Sequence, residues 1–146
     1  MFYKKIPALI LFLTFLDCVS IVYADNISLE KFLSGFDPRA QHEMKIDSAR
    51  LVKGLKEEKI LLVDVRFMGE IDKSPLPFGI SMPLNDLPKR MEELPRDKLL
   101  VTACPVKDRA IIAMIYLRTN GFDVKYLNDG LIGLKKYLRQ NRLEQY

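Results

Sequence analysis

The sequence has no tryptophan, one histidine (His42) and only two cysteines, Cys18 and Cys104, in 146 residues. So few nitrogen and sulfur ligands argue against a zinc cluster or any Cys/His-rich metal site. Glycine and proline are modest, at 7 and 8, which argues against a collagenous or low-complexity chain. Neither sign of charge dominates. The 23 basic and 19 acidic residues leave +4, with no Lys/Arg run that would follow a nucleic-acid backbone. There is no internal repeat. What remains is 49% hydrophobic residues at a length suited to one domain.

The first 24 residues have the layout of a secretory leader. Lys4 and Lys5 precede an apolar run over 6–16, and Val22-Tyr23-Ala24 supplies the small residues of a cleavage site after Ala24. The run is short for a bilayer span, and extending it to Ala24 would bury Asp17 at about 2.5–3.5 kcal/mol. The expectation is therefore a signal peptide over 1–24 and a periplasmic or secreted product, membrane-anchored only if the leader is kept. Cleavage leaves one cysteine, Cys104, which has no partner for an internal disulfide. A polar lead-in follows over 25–45, with one short helix near Leu29, then a domain over 46–140 and a tail over 141–146.

Within the domain, apolar runs alternate with amphipathic stretches. Asp47 is placed to cap a helix over Ser48–Lys56, with Leu51, Val52 and Leu55 on one face. The runs at 60–65, 99–103 and 124–127 read as buried parallel strands. A Pro-rich loop spans 74–83, and Leu84, Leu87, Met91 and Leu94 are spaced for a helix ending near Pro95. Further helices are expected over 110–120, stopped by Gly121, and over 131–140. Strands alternating with helices imply an α/β fold: a mostly parallel central sheet covered by helices on both faces.

Ligands of such sheets gather at the carboxyl ends of the strands. Asp64-Val65-Arg66, the stretch 104–109 and Asp129-Gly130 all fall there. Cys104 leaves a strand, and a helix begins soon after it. The loop amides and the helix N-terminus favour an anion, and Lys107 and Arg109 add positive surroundings of the kind that favour a thiolate. A lone cysteine is also commonly a small buried hydrophobe. Arg109 has an alternative role in an ion pair with a carboxylate such as Asp64. Arg66 either faces the pocket or pairs with Asp108 or Glu70, and Asp64 reads as a structural acceptor for loop amides. His42 lies in the lead-in and is expected to be exposed. Lys135, Lys136, Arg139 and Arg142 read as a solvated helix face and end.

These stretches together resemble the single-domain rhodanese family. Leu62-Val63-Asp64-Val65-Arg66 is similar to its "hDVR" strand, and Ile80-Ser81-Met82-Pro83-Leu84 to its "INIPL" segment. The stretch 100–109 resembles the strand that ends in the Cys-x-x-x-x-Arg active loop. Gly121-Phe122-Asp123-Val124 and Asn128-Asp129-Gly130-Leu131 match two later segments, so the likeness runs from about residue 46 to 138. Cysteine phosphatases need one more residue before the arginine, and that position holds Ala110.

The resemblance implies a rhodanese-like three-layer sandwich and sulfurtransferase chemistry, with Cys104 as the nucleophile that carries a persulfide. Pro105, Val106, Lys107, Asp108, Arg109 and Arg66 would contact the substrate, and Asp64 would support the loop. It implies no cofactor and no metal. The partners would be a small sulfur donor, thiosulfate or a persulfide, and a thiol or cyanide acceptor, with a protein acceptor also compatible. Neither nucleic acid nor, after cleavage, membrane is expected. The alternative is a non-catalytic binding or redox-sensing module on the same fold. Three departures stand out. Pro105 has no N–H to donate, Lys107 replaces a glycine where a left-handed angle would be costly, and the "GHIPGA" segment reads Ser74-Pro75-Leu76-Pro77-Phe78-Gly79.

Overall fold

The computed structural model describes residues 26–143. The leader expected over 1–24, its cleavage site, Cys18 and the last three residues of the tail lie outside the described residues.

The apolar runs become the strands β1 (Lys45–Ile46), β2 (Ile60–Asp64), β3 (Ile80–Ser81), β4 (Leu99–Ala103) and β5 (Val124–Leu127). They form one sheet in the order β1-β5-β4-β2-β3, and every pairing is parallel. The helices are α1 (Leu29–Ser34), α2 (Pro38–Glu43), α3 (Ser48–Lys56), α4 (Met68–Lys73), α5 (Leu87–Arg90), α6 (Asp108–Thr119) and α7 (Gly130–Gln140). A 3₁₀ turn, Met91–Glu93, extends α5.

Alternation along each strand splits the core in two. Ile60, Leu62, Val101, Ala103 and Leu127 pack with Leu51 and Val52 of α3 and Leu131, Leu134 and Leu138 of α7. Val63, Leu100, Cys104, Val124 and Tyr126 pack on the opposite face with Ala110, Ala113, Met114 and Leu117 of α6 and Leu87 of α5. The result is the expected three-layer α/β sandwich. Register aligns the central strands at their carboxyl ends, with Asp64 opposite Ala103. One further ladder bond, from Val65 N–H to the Ala103 carbonyl at 2.9 Å, brings the chain that leaves β2 beside the chain that leaves β4.

Several boundaries differ from the expectations. The spacing of Leu84, Leu87, Met91 and Leu94 predicts one continuous helix; only one α turn and one 3₁₀ turn form. Pro88 lacks an N–H and is tolerated only in a first turn, so the helix cannot start much before it. Strand β3 lies inside the expected Pro-rich loop, and at two residues it is too short for any periodicity. Helices α2 and α4 are additional to the expected elements; α2 buries no residue and α4 only Ile71, so neither presents an apolar stripe. The lead-in is anchored more firmly than its polar composition suggests. Ile27 N–H donates to the Thr119 carbonyl, Tyr126 N–H donates to the Met44 carbonyl, and Met44 is 8% exposed. His42 is exposed, as expected.

Candidate active site

Cys104 is the first residue after β4, and its side chain points to the α6 face, where it is 2% exposed. It is the free cysteine among the described residues. Helix α6 begins at Asp108, two residues earlier than the sequence predicts, because Asp108 and Arg109 are polar and carry no apolar period. The first intrahelical bond runs from Ile111 N–H to the Lys107 carbonyl. The amides of Asp108, Arg109 and Ala110 therefore have no acceptor within the helix and point back toward the loop that Cys104 opens. Twelve residues of helix stand behind them, so the positive end of a full dipole meets this loop.

The loop is held from the other face of the sheet by α7. Leu131 N–H donates to the Cys104 carbonyl at 2.9 Å, and Ile132 N–H donates to the Pro105 carbonyl at 3.2 Å. One helix end thus ties down the carbonyls of the loop, and a second leaves its amides free there. Gly130 makes this approach feasible. Its φ is +61°, and a Cβ there would collide with the Val106 carbonyl oxygen and come within 2.5 Å of that of Pro105. Lys107 has φ −162°, so the left-handed strain anticipated at that position does not arise. Asp129, one residue before Gly130, turns away and accepts a hydrogen bond from Ser48 Oγ, which joins α3 to α7.

The two arginines have partners other than those expected. Arg66 does not pair with Asp108 or with the Glu70 carboxylate, and it is not at the mouth. It is 5% exposed, its Nε is 2.9 Å from both Asp64 oxygens, and its Nη2 is 2.6 Å from Oδ2 and 2.9 Å from the Ser74 carbonyl. Asp64 also accepts the Arg66 backbone N–H at 3.1 Å. The acceptor role expected of Asp64 therefore serves a buried ion pair, because a charge this deep must be matched by a neighbour.

Arg109 pairs with Glu70 rather than Asp64. The guanidinium forks onto the carboxylate, with Nη1 on Oε2 and Nη2 3.0 Å from Oε1, and it lies 4.6 Å above the Phe67 ring. Glu70 is the third residue of α4 and also receives the Phe67 N–H at 3.2 Å. The Arg109 hydrogen bonds, helped by that amide and by Arg66, hold the Glu70 carboxyl well below the usual range, at about 2. Arg109 is held charged first by Glu70, and the Cys104 sulfur adds a smaller pull on the same guanidinium. Sequence reasoning names Glu70 only as a partner for Arg66 and omits Phe67. The available signal was a glutamate three residues after Phe67, the spacing at which a side chain reaches back to a helix start.

The remaining candidates surround the thiol. Pro105 is half-buried, while Val106, Lys107 and Asp108 are exposed. Among the described residues no group of His, Cys, Asp and Glu is arranged to hold a metal ion.

The geometry agrees with comparisons to known proteins. Residues 47–136, more than half of the chain, match the rhodanese-like domain. A sulfurtransferase of Allochromatium vinosum is 34% identical over 95 residues, covering 64% of this chain and 89% of that protein. The crystal structure of BH2092 from Bacillus halodurans superposes with a TM-score of 0.60 at 26% identity, covering 74% of this chain and 80% of that one. Reduced CoADR-RHD of Bacillus anthracis superposes at 0.59 with 26% identity, over 66% of this chain and 17% of that much longer one. With its parallel sheet, its Cys-x-x-x-x-Arg loop and these relatives, the chain belongs to the rhodanese-like domain family.

Proposed function

We propose that this chain is an exported sulfurtransferase that carries sulfane sulfur on Cys104. Its relatives support sulfurtransferase-type function, and the residues around Cys104 are suited to that step. The observation that carries the reading is the thiol at the end of β4 on the α6 face, at the loop that the unbonded amides of α6 meet, with Arg109 in the first turn of that helix. In the reaction, the Cys104 thiolate attacks the outer sulfur of a donor and the remainder of the donor leaves with its electron pair. With thiosulfate the leaving group is sulfite. A negative persulfide then stands where helix amides and Arg109 replace solvent, until an acceptor thiol or cyanide removes the outer sulfur. No general base is needed once the thiol is ionised, and no histidine lies near this site. Export rests on the leader features of residues 1–24.

The test is intact-mass measurement of protein purified without reductant and then treated with a sulfane donor. A gain of one sulfur atom, mapped to Cys104 and lost in Cys104→Ser, is the expected result. A thiol that alkylates readily but gains no sulfur would overturn the proposal in favour of a binding module. The same spectrum reports whether the mature chain starts at Asp25.

A further inference from the structure

Both arginines of the segments 64–70 and 104–109 are already matched by a carboxylate of the protein. Arg66 is spent on Asp64, and Arg109 on Glu70. These two segments hold Arg66, Lys107 and Arg109 against Asp64, Glu70 and Asp108, a net charge of zero before the Cys104 thiol ionises. Pro105 removes one amide from the loop. Beside this neutral setting stand large apolar side chains in water: Phe67 at 55%, Met68 at 55% and Val106 at 56% exposure. Phe67 is stacked under Arg109 itself.

From this we infer that the site takes its sulfur from an organic persulfide with an apolar chain and discriminates against the thiosulfate dianion, with Glu70 as the positioning residue that sets this preference. The inference rests on the Cys104 persulfide reading above. A dianion can use Arg109 only by displacing Glu70 or by sharing the guanidinium with it, and it gains little from a site with no net charge. A persulfide carries at most one negative charge and has a carbon chain to bury, so it depends less on Arg109 for entry, and its protonated form RS–SH is the one attacked. Its carbon chain can lie on Phe67, Met68 and Val106, where burying apolar area is favourable. The step balances without an oxidant: Cys104–S⁻ attacks the terminal sulfur of RS–SH, the RS–SH sulfur–sulfur bond breaks, and Cys104–S–SH and RS⁻ result. Arg109 stays beside the newly loaded sulfur.

The experiment follows sulfur loading of the full chain by intact mass, with thiosulfate and with the persulfide of butanethiol as donors. The wild type is expected to load faster from butyl persulfide than from thiosulfate at equal concentration. Glu70→Gln, which keeps the amide contact and removes the charge, is expected to lower the thiosulfate KM by about tenfold, the worth of one charge-assisted contact regained. Its kcat, and its KM for butyl persulfide, should change much less. Glu70→Asp should restore the high thiosulfate KM. Raising the salt should slow thiosulfate loading more in Glu70→Gln than in the wild type, because the variant leaves the Arg109 guanidinium free to meet the dianion. Equal or faster wild-type loading from thiosulfate overturns the inference, as does an unchanged thiosulfate KM in Glu70→Gln; the wild-type comparison decides alone if that variant does not fold. Failure to load from either donor overturns the persulfide reading itself.

Discussion

At the scale of single residues, the site is organised by two arginine–carboxylate pairs in unlike settings. Asp64 and Arg66 are both nearly excluded from water, and their value is that neither charge is left alone. Glu70 and Arg109 are less buried, and there the guanidinium lies between a carboxylate and an aromatic ring. The pH dependence of the second pair follows from its direction. The Glu70 carboxyl lies at about 2 in the folded chain against an ordinary 4.5. A depressed carboxyl contributes stability that is complete above its unfolded value and is lost as pH falls through the folded one. The stability difference between wild type and Glu70→Gln should therefore be constant above about pH 5 and shrink between about 4.5 and 2. Urea titrations of both proteins across that range check it, and a difference that grows on acidification would contradict the pairing.

Among the secondary elements, α6 and α7 divide the work of presenting Cys104. Helix α6 offers unbonded amides, and α7 holds the carbonyls of Cys104 and Pro105. This division depends on Gly130, whose position leaves no room for a Cβ against the Val106 carbonyl. Gly130→Ala should cost about 1–2 kcal/mol from the positive φ alone. The greater effect should be on the loop, which must move away from α7 and carry Cys104 out of line with α6. A severalfold or larger loss of sulfur loading at a concentration where the variant is fully folded by circular dichroism is the expected outcome. Normal loading would mean that the loop does not need α7.

For the molecule as a whole, the sheet is a single parallel layer whose two faces are both used, and the lead-in contributes to one of them. Met44 lies in the α5–α6 core, its carbonyl extends the sheet to Tyr126, and the Glu43 carbonyl accepts from Lys125 Nζ at 2.8 Å. Met44→Ala should therefore cost about 2–3 kcal/mol, the low end for a buried methionine at the edge of a core. Chemical denaturation measures it; a change within about 0.5 kcal/mol would mark the segment as a surface appendage.

Much of this was legible from residue order. The runs at 60–65, 99–103 and 124–127 read as buried strands because each is short, largely apolar and bounded by polar or turn residues. Ser48–Lys56 was readable from its cap and stripe, and Cys104 from its place between a strand and a helix, five residues before an arginine. Local pattern therefore determined the α/β class, the parallel sheet and the place of Cys104 at the end of a strand. It could not determine α4, whose residues 68–73 have no apolar face, or the short strand β3, which is set by its pairing with β2 and by the bond from Met82 N–H to the Asp64 carbonyl. Which carboxylate each arginine takes was equally beyond it. Asp64 and Arg66 are two residues apart, Glu70 and Arg109 are 39 apart, and every candidate pairing satisfied charge. Only the tertiary structure decided, by burying Arg66 where Asp64 was the carboxylate within reach and by bringing the start of α4 over the start of α6. A charge partner is selected by distance and desolvation, and neither is a property of a sequence until it folds.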